Sequence, residues 1–321
     1  NNLYDVFYRP DIIQAKMRGD DIREMFTLTA EAALTYPPPT VKITDVPTHT
    51  DQSKIKVCYK VASSGGGIGE VRLFHNGKLI QSDGYYKRVA QSNVHKTQLT
   101  ALNSRAIYED MRSISIKGIE ETIPTSSKSK GDIFDDCTEI EVVPGENEVS
   151  VTAFNSPNTV QSYMETVNFN SRMKPEDPHL YILAVGIDQY QDNSVNLKYA
   201  VKDAKDIEEK LKRQAATLYK PENIHYALLT DRDAVKMNIT AKINELSRVI
   251  KPNDSFVLFV AGHGVLLQNQ YHMLTHDYNG VVNDNSVISS NEIVEVSKKI
   301  KSLSQLLILD TCHAGGVDYL V

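Results

Sequence analysis

The chain has 321 residues, 41% of them apolar and 24% charged, with a formal net charge of -6. That is enough chain for two domains with separate cores, in the composition of a globular protein. The negative balance, with no basic stripe interleaved with aromatics, argues against a nucleic-acid partner. The absence of a long apolar run argues against a membrane span or a signal h-region.

In chain order, residues 1–39 form a helical extension. Ile12, Ile13, Met17, Ile22, Met25 and Phe26 recur at helical spacing until Pro37-Pro38-Pro39 stops it. From Val41 the period becomes two. Val41–Ile43, Ile55–Val61, Val71–Phe74, Leu79–Ile80, Glu139–Val143, Glu148–Phe154 and Tyr163–Phe169 read as strands. Asn76-Gly77 predicts one hairpin, and Pro144-Gly145-Glu146-Asn147 a second. Short antiparallel strands with tight turns predict an immunoglobulin-like β-sandwich over residues 40–170, a docking module without chemistry of its own. Its middle, 83–135, has no clear pattern, and the polar tract 124–132 reads as a loop.

Residues 171–178 read as a polar linker, and beyond it strands alternate with helices. Tyr181–Gly186, Ile224–Leu229, Ser255–Ala261 and Gln305–Leu309 are uniformly apolar. Asn196–Arg213, Ala234–Val249 and Ser290–Lys301 are amphipathic. That alternation predicts an α/β domain over 179–321, a parallel sheet covered on both faces, with function outside the carboxyl ends of the strands.

Two of those ends carry reactive groups. Ser255–Ala261 runs into Gly262-His263-Gly264, and Gln305–Leu309 into Asp310-Thr311-Cys312-His313. Parallel strands bring His263 and Cys312 to one edge. An imidazole lowers a thiol's pKa and later protonates a leaving amine, and the N–H groups of Gly264 and Cys312 are oxyanion donors. His313 adjoins the thiol, but adjacent side chains diverge in a turn, so His263 is the expected base.

The stretches YILAVGIDQY (181–190), LKYAVKDAKDIEEKL (197–211), FVAGHG (259–264) and LILDTCHAGG (307–316) resemble the caspase-like cysteine peptidases, in particular the metacaspases and their bacterial relatives. The resemblance covers about 179–321. Asp-Thr-Cys-His departs from the animal caspase loop and is closer to the metacaspase Asp-Ser-Cys-His. It implies a cysteine endopeptidase with a Cys312–His263 dyad that cleaves after Arg or Lys, with Asp310 and Asp203 reading the basic side chain. A carboxylate pair fits a guanidinium and repels an acidic residue. Both acids also have bland readings, Asp310 as a turn acceptor and Asp203 as a helix-surface charge beside Lys202. The alternative function is a degenerate caspase-like scaffold that binds a regulatory partner.

No cofactor and no metal are expected. The acidic loop 276–286 lacks the spacing of a calcium loop and reads as a solvated turn. The sequence opens without Met, in mid-pattern, and only nine residues follow Cys312, as in a processed or truncated piece. The resemblance implies further strands, expected from a C-terminal small subunit, with a peptide or protein as substrate and a regulatory partner on the β-sandwich. Cys58, Cys137 and Cys312 are odd in number and lack C-x-x-C spacing. That argues against a disulfide framework and for a reducing, cytoplasmic location.

Overall fold

The structure is a computed structural model and describes residues 35–82, 131–158, 160–267, 270–312 and 314. The expected N-terminal helix, most of the 83–135 segment and His313 lie outside the described residues. Those described divide into two compact units between Lys174 and Pro175.

The first unit contains β1 (Thr40–Asp45), β2 (His49–Thr50), β3 (Lys54–Ala62), β4 (Val71–His75), β5 (Lys78–Ser82), β6 (Ile133–Glu141), β7 (Gly145–Ala153) and β8 (Glu165–Ser171). They form a sheet in the order β1-β3-β6 and another in the order β2-β8-β7-β4-β5. Alternate residues of both sheets share one core. Ile43, Ile55, Val57, Tyr59 and Val61 come from the first sheet, and Val71, Leu73, Val149, Val151 and Phe169 from the second. This is the expected β-sandwich. Asn76 and Gly77 both adopt positive φ (48° and 80°) between His75 and its partner Lys78, the two-residue turn that Asn-Gly favours.

The second expected hairpin is not one. β6 pairs with β3 and β7 pairs with β4 and β8, so residues 142–144 cross from one sheet to the other. Buried Asn147 builds this corner: its Nδ2 donates to the carbonyls of Val143 (2.8 Å) and Gly145 (2.9 Å), and its Oδ1 accepts from Val143 N (3.0 Å). Two apolar-polar runs around Pro-Gly do not reveal whether they share a sheet.

The cysteine reading is also corrected. Cys58 and Cys137 lie directly opposite each other on β3 and β6, with Cα atoms 4.1 Å apart, and are joined in a disulfide. Antiparallel pairing supplies the closeness that a separation of 79 residues conceals. Among the described residues Cys312 is the free cysteine. The inference of a reducing compartment loses its premise.

The second unit contains β9 (Leu180–Gly186), α1 (Ala200–Ala215), β10 (Ile224–Thr230), α2 (Lys236–Val249), β11 (Ser255–Gly262), β12 (Gly264–Leu267), β13 (Gln270–Leu274), β14 (Val287–Ser289), α3 (Ser290–Lys299) and β15 (Ser304–Thr311). β10-β9-β11-β15 is an all-parallel sheet. Phe256, Leu258 and Val260 of β11 join Ile239, Ile243 and Leu246 of α2 and Ile293 of α3 in one core. Phe259 and Ala261 face Ala200 and Ala204 of α1 on the other side. A strand buried on both faces has no polar side to show, hence the continuous apolar run. α3 opens on a capping box: Ser289 accepts from Glu292 N while Glu292 accepts from Ser289 N. β12, β13 and β14 form a small antiparallel sheet that the sequence reading missed. Loop 276–286 is not simply a solvated turn, since Tyr278, Val282 and Ser286 are buried.

Candidate active site

The register of β11 and β15 ends on the pair Gly262 and Thr311. The next residue of each strand is His263 and Cys312, so both leave the sheet at neighbouring positions on its carboxyl edge. The backbones there are close. A Cβ placed on Gly264 would lie 2.3 Å from the Cys312 carbonyl oxygen, 2.6 Å from Tyr271 Cε2 and 2.9 Å from Thr311 Oγ1. Gly264 therefore admits this approach by having no side chain.

His263 is only 3% exposed. Its Nε2 lies 2.7 Å from the carbonyl oxygen of Val195, which can only accept. That assigns the ring proton to Nε2 and leaves the Nδ1 lone pair as the basic site. Burial pushes the imidazole pKa below its usual value, against the opposing pull of the Val195 carbonyl, so the ring is neutral near pH 7. The His263 N–H donates to Tyr190 Oη at 2.9 Å, and the two rings pack with centroids 5.2 Å apart.

The loop that presents Val195 is tied down along its length. Asp231 Oδ1 accepts from the N–H groups of Asp188 (2.8 Å) and Gln189 (2.9 Å). Asp188 Oδ1 accepts from Ala200 N at the start of α1, which is why the helix begins four residues later than its periodicity predicts. Asn196 Oδ1 accepts from Tyr190 N at 2.8 Å.

The two expected specificity carboxylates occupy the same face of the sheet. Asp310 pairs with Ala261, which pairs with Gly186, forming one row across β15, β11 and β9. α1 rests on Gly186, where an added Cβ would meet Ala200 O at 2.6 Å and Ala204 Cβ at 2.8 Å. Ile308 packs in the α1-side cluster, so Asp310, two residues on, faces that side as well. Asp310 is exposed, and Asp203 is half-buried in the first turn of α1. The row from Gly186 to Asp310 spans about 10 Å, two strand spacings. Lys202 does not neutralise its neighbour by pairing with it, because its ammonium is bonded to Asp206.

Sequence reasoning missed Val195, Tyr190, Tyr271 and Thr311 as parts of this site. A backbone carbonyl leaves no trace in residue type, and Tyr190 and Tyr271 each stand between polar neighbours (Gln189 and Gln191, Gln270 and His272) with no apolar pattern to single them out. Among the described residues no cluster of three or more His, Cys, Asp or Glu is arranged to hold a metal ion.

Among solved structures, the chain is similar to a structural-genomics protein of Geobacter sulfurreducens, at 17% identity and a TM-score of 0.34 over 43% of this chain and 52% of that one. The chain thus covers about half the length of that protein. It is similar to fibronectin(III)-like modules of Clostridium thermocellum CbhA (15% identity, TM-score 0.24, 42% of this chain and 100% of that one). The SrpA adhesin of Streptococcus sanguinis is similar at 14% identity and a TM-score of 0.22, over 57% of this chain and 77% of that one. No curated protein matches the chain. The family model described as "Caspase domain" matches residues 180–320, a stretch that spans the whole of the parallel sheet and the strand ends at His263 and Cys312.

Proposed function

We propose that the chain is the large-subunit part of a cysteine endopeptidase of metacaspase type that cleaves after Arg or Lys. The observation that carries this reading is the register that sends His263 and Cys312 out of adjacent strand ends, with Nε2 of the imidazole committed to Val195. In the proposed reaction, Nδ1 of His263 takes the thiol proton as Cys312 Sγ attacks the scissile carbonyl. The tetrahedral oxyanion is held by the N–H groups of Gly264 and Cys312. The imidazolium then gives its proton to the leaving amine, and water, deprotonated by the same nitrogen, releases the acid from the thioester. Asp310 and Asp203 receive the guanidinium or ammonium of the residue before the bond.

β15 is an edge strand of the four-stranded sheet, and Leu306 on its α1-side face is 52% exposed. Both features favour an additional strand from a small subunit on that edge. The β-sandwich is assigned to a regulatory partner.

The test is hydrolysis of fluorogenic peptides with Arg, Lys, Asp or Leu before the scissile bond, by wild type and Cys312→Ala, with the small-subunit segment supplied. Arg and Lys peptides should be cleaved and the variant should be inactive. A variant that retains peptidase activity rules out the nucleophile. An intact Cys312 that no peptidyl-Arg chloromethylketone labels favours the non-enzymatic scaffold instead.

A further inference from the structure

Tyr271 is 0% exposed, and its hydroxyl shares a 2.7 Å hydrogen bond with Thr311 Oγ1, the side chain immediately before Cys312. Tyr271 stands on β13, which pairs with β12, and β12 begins one residue after His263. The hairpin is closed at its base by Leu274 N donating to the His263 carbonyl at 2.9 Å. One continuous segment therefore leaves the parallel sheet at His263, turns back, and touches the strand end that carries the thiol. Gly264 lies at the crossing, against Tyr271, Thr311 and the Cys312 carbonyl together.

We propose that Tyr271 is a positioning residue: its hydroxyl fastens the Thr311–Cys312 strand end to the hairpin that carries His263. The thiol and the imidazole then keep one relative placement through the reaction. The inference rests on the Cys312–His263 reading of the site. A pair of neutral hydroxyls suits the task, because it supplies direction without a charge beside the thiol. Burial raises the phenol pKa to about 12, so the brace does not titrate in the working range of the enzyme. A phenylalanine would fill the same volume and leave the Thr311 hydroxyl without this partner, which separates a brace from mere core filling.

The experiment is alkylation of Cys312 by iodoacetamide between pH 5 and 9, which needs no peptide recognition, together with a thermal melt of each variant. The variants are Tyr271→Phe, Thr311→Val, the double variant, Thr311→Ser and His263→Ala. Tyr271→Phe and Thr311→Val should each slow alkylation at pH 7 about tenfold. The double variant should be no slower than the slower single variant, since both remove one interaction. Thr311→Ser, which keeps the hydroxyl, should stay close to wild type.

Alkylation by Tyr271→Phe within twofold of wild type, or losses that multiply in the double variant, overturns the brace while leaving the dyad standing. A His263→Ala profile identical to wild type overturns the dyad, and this inference with it. Should Tyr271→Phe fail to fold, the contrast between Thr311→Val and Thr311→Ser makes the same decision.

Discussion

Gly264→Ala is the sharpest probe of how closely the two strand ends approach. The added methyl would sit 2.3 Å from the Cys312 carbonyl oxygen, a backbone atom that cannot rotate away, and 2.6 Å from the buried ring of Tyr271. Reaching ordinary contact needs an opening of about 1 Å or more between the His263 and Cys312 strand ends. A displacement of about 1 Å at a reacting centre costs on the order of 100-fold in rate, or about 2.7 kcal/mol of barrier. Overpacking of this kind also costs about 1–3 kcal/mol of stability.

The internal control is Gly262→Ala on the other side of the histidine, whose methyl would lie 3.0 Å from Tyr190 Oη and in ordinary contact with Ile187 Cβ (3.7 Å) and O (3.9 Å). It should lose less than about tenfold, since the nearest obstacle is the end of a side chain. Comparing kcat/KM on a peptidyl-Arg substrate, iodoacetamide reactivity of Cys312 and urea unfolding separates rate from stability. Activity of Gly264→Ala within threefold of wild type, or a larger loss in Gly262→Ala, would refute the close approach.

Asp310→Asn should lower kcat/KM on Arg peptides by about 10- to 100-fold while leaving any residual cleavage of Leu peptides unchanged; an equal loss on both would assign Asp310 to the backbone turn instead. Replacing Cys58 and Cys137 by Ser should destabilise the β-sandwich unit, with loop closure over 79 residues setting an upper figure of about 4.5 kcal/mol. Urea unfolding reads this, and two free thiols by mass in the oxidised protein would contradict the pairing. His263 and His75 are both held below the ordinary imidazole value of 6.5 by burial, so the unfolded chain binds more protons just under that pH. Their contribution to stability is whole above pH 6.5 and declines as the pH falls through it. A urea midpoint that rises between pH 7.5 and 5.5 would reverse this sign.

The reactive strand ends were legible because they are local: an apolar run followed by Gly-His-Gly or Asp-Thr-Cys announces a strand and what leaves it. Pairings between distant segments were not. The Pro-Gly corner at 144–145 reads as a hairpin until β6 and β7 are seen in different sheets, and Cys58 faces Cys137 only once β3 and β6 align. β6 itself was placed six residues late, because its outward residues Asp135, Cys137 and Glu139 lower its apolar content while Phe134 and Ile140 turn inward. The Val195 carbonyl that orients His263 belongs to no residue type, so no pattern of side chains could announce it.

What protects the geometry of the site is the register of β15, and that register is fixed far from the chemistry. Leu307 and Leu309 pack into the α2 and α3 core, and Ile308 into the α1 side, so apolar residues alone would tolerate either face. Two polar residues break the tie. At the amino end, Gln305 turns its amide nitrogen toward the carbonyls of Ser297, Ile300 and Ser302 at 2.9–3.0 Å, and its Oε1 accepts from Ser297 Oγ at 2.9 Å. At the carboxyl end, Asp310 is exposed on the opposite face. A one-residue slip would swap the faces, strip Gln305 of these partners and drive the Asp310 carboxylate into the apolar core. It would also move Cys312 from beside His263 to beside its neighbour in the chain. The carboxylate assigned to substrate recognition is thus also what makes the alternative register costly.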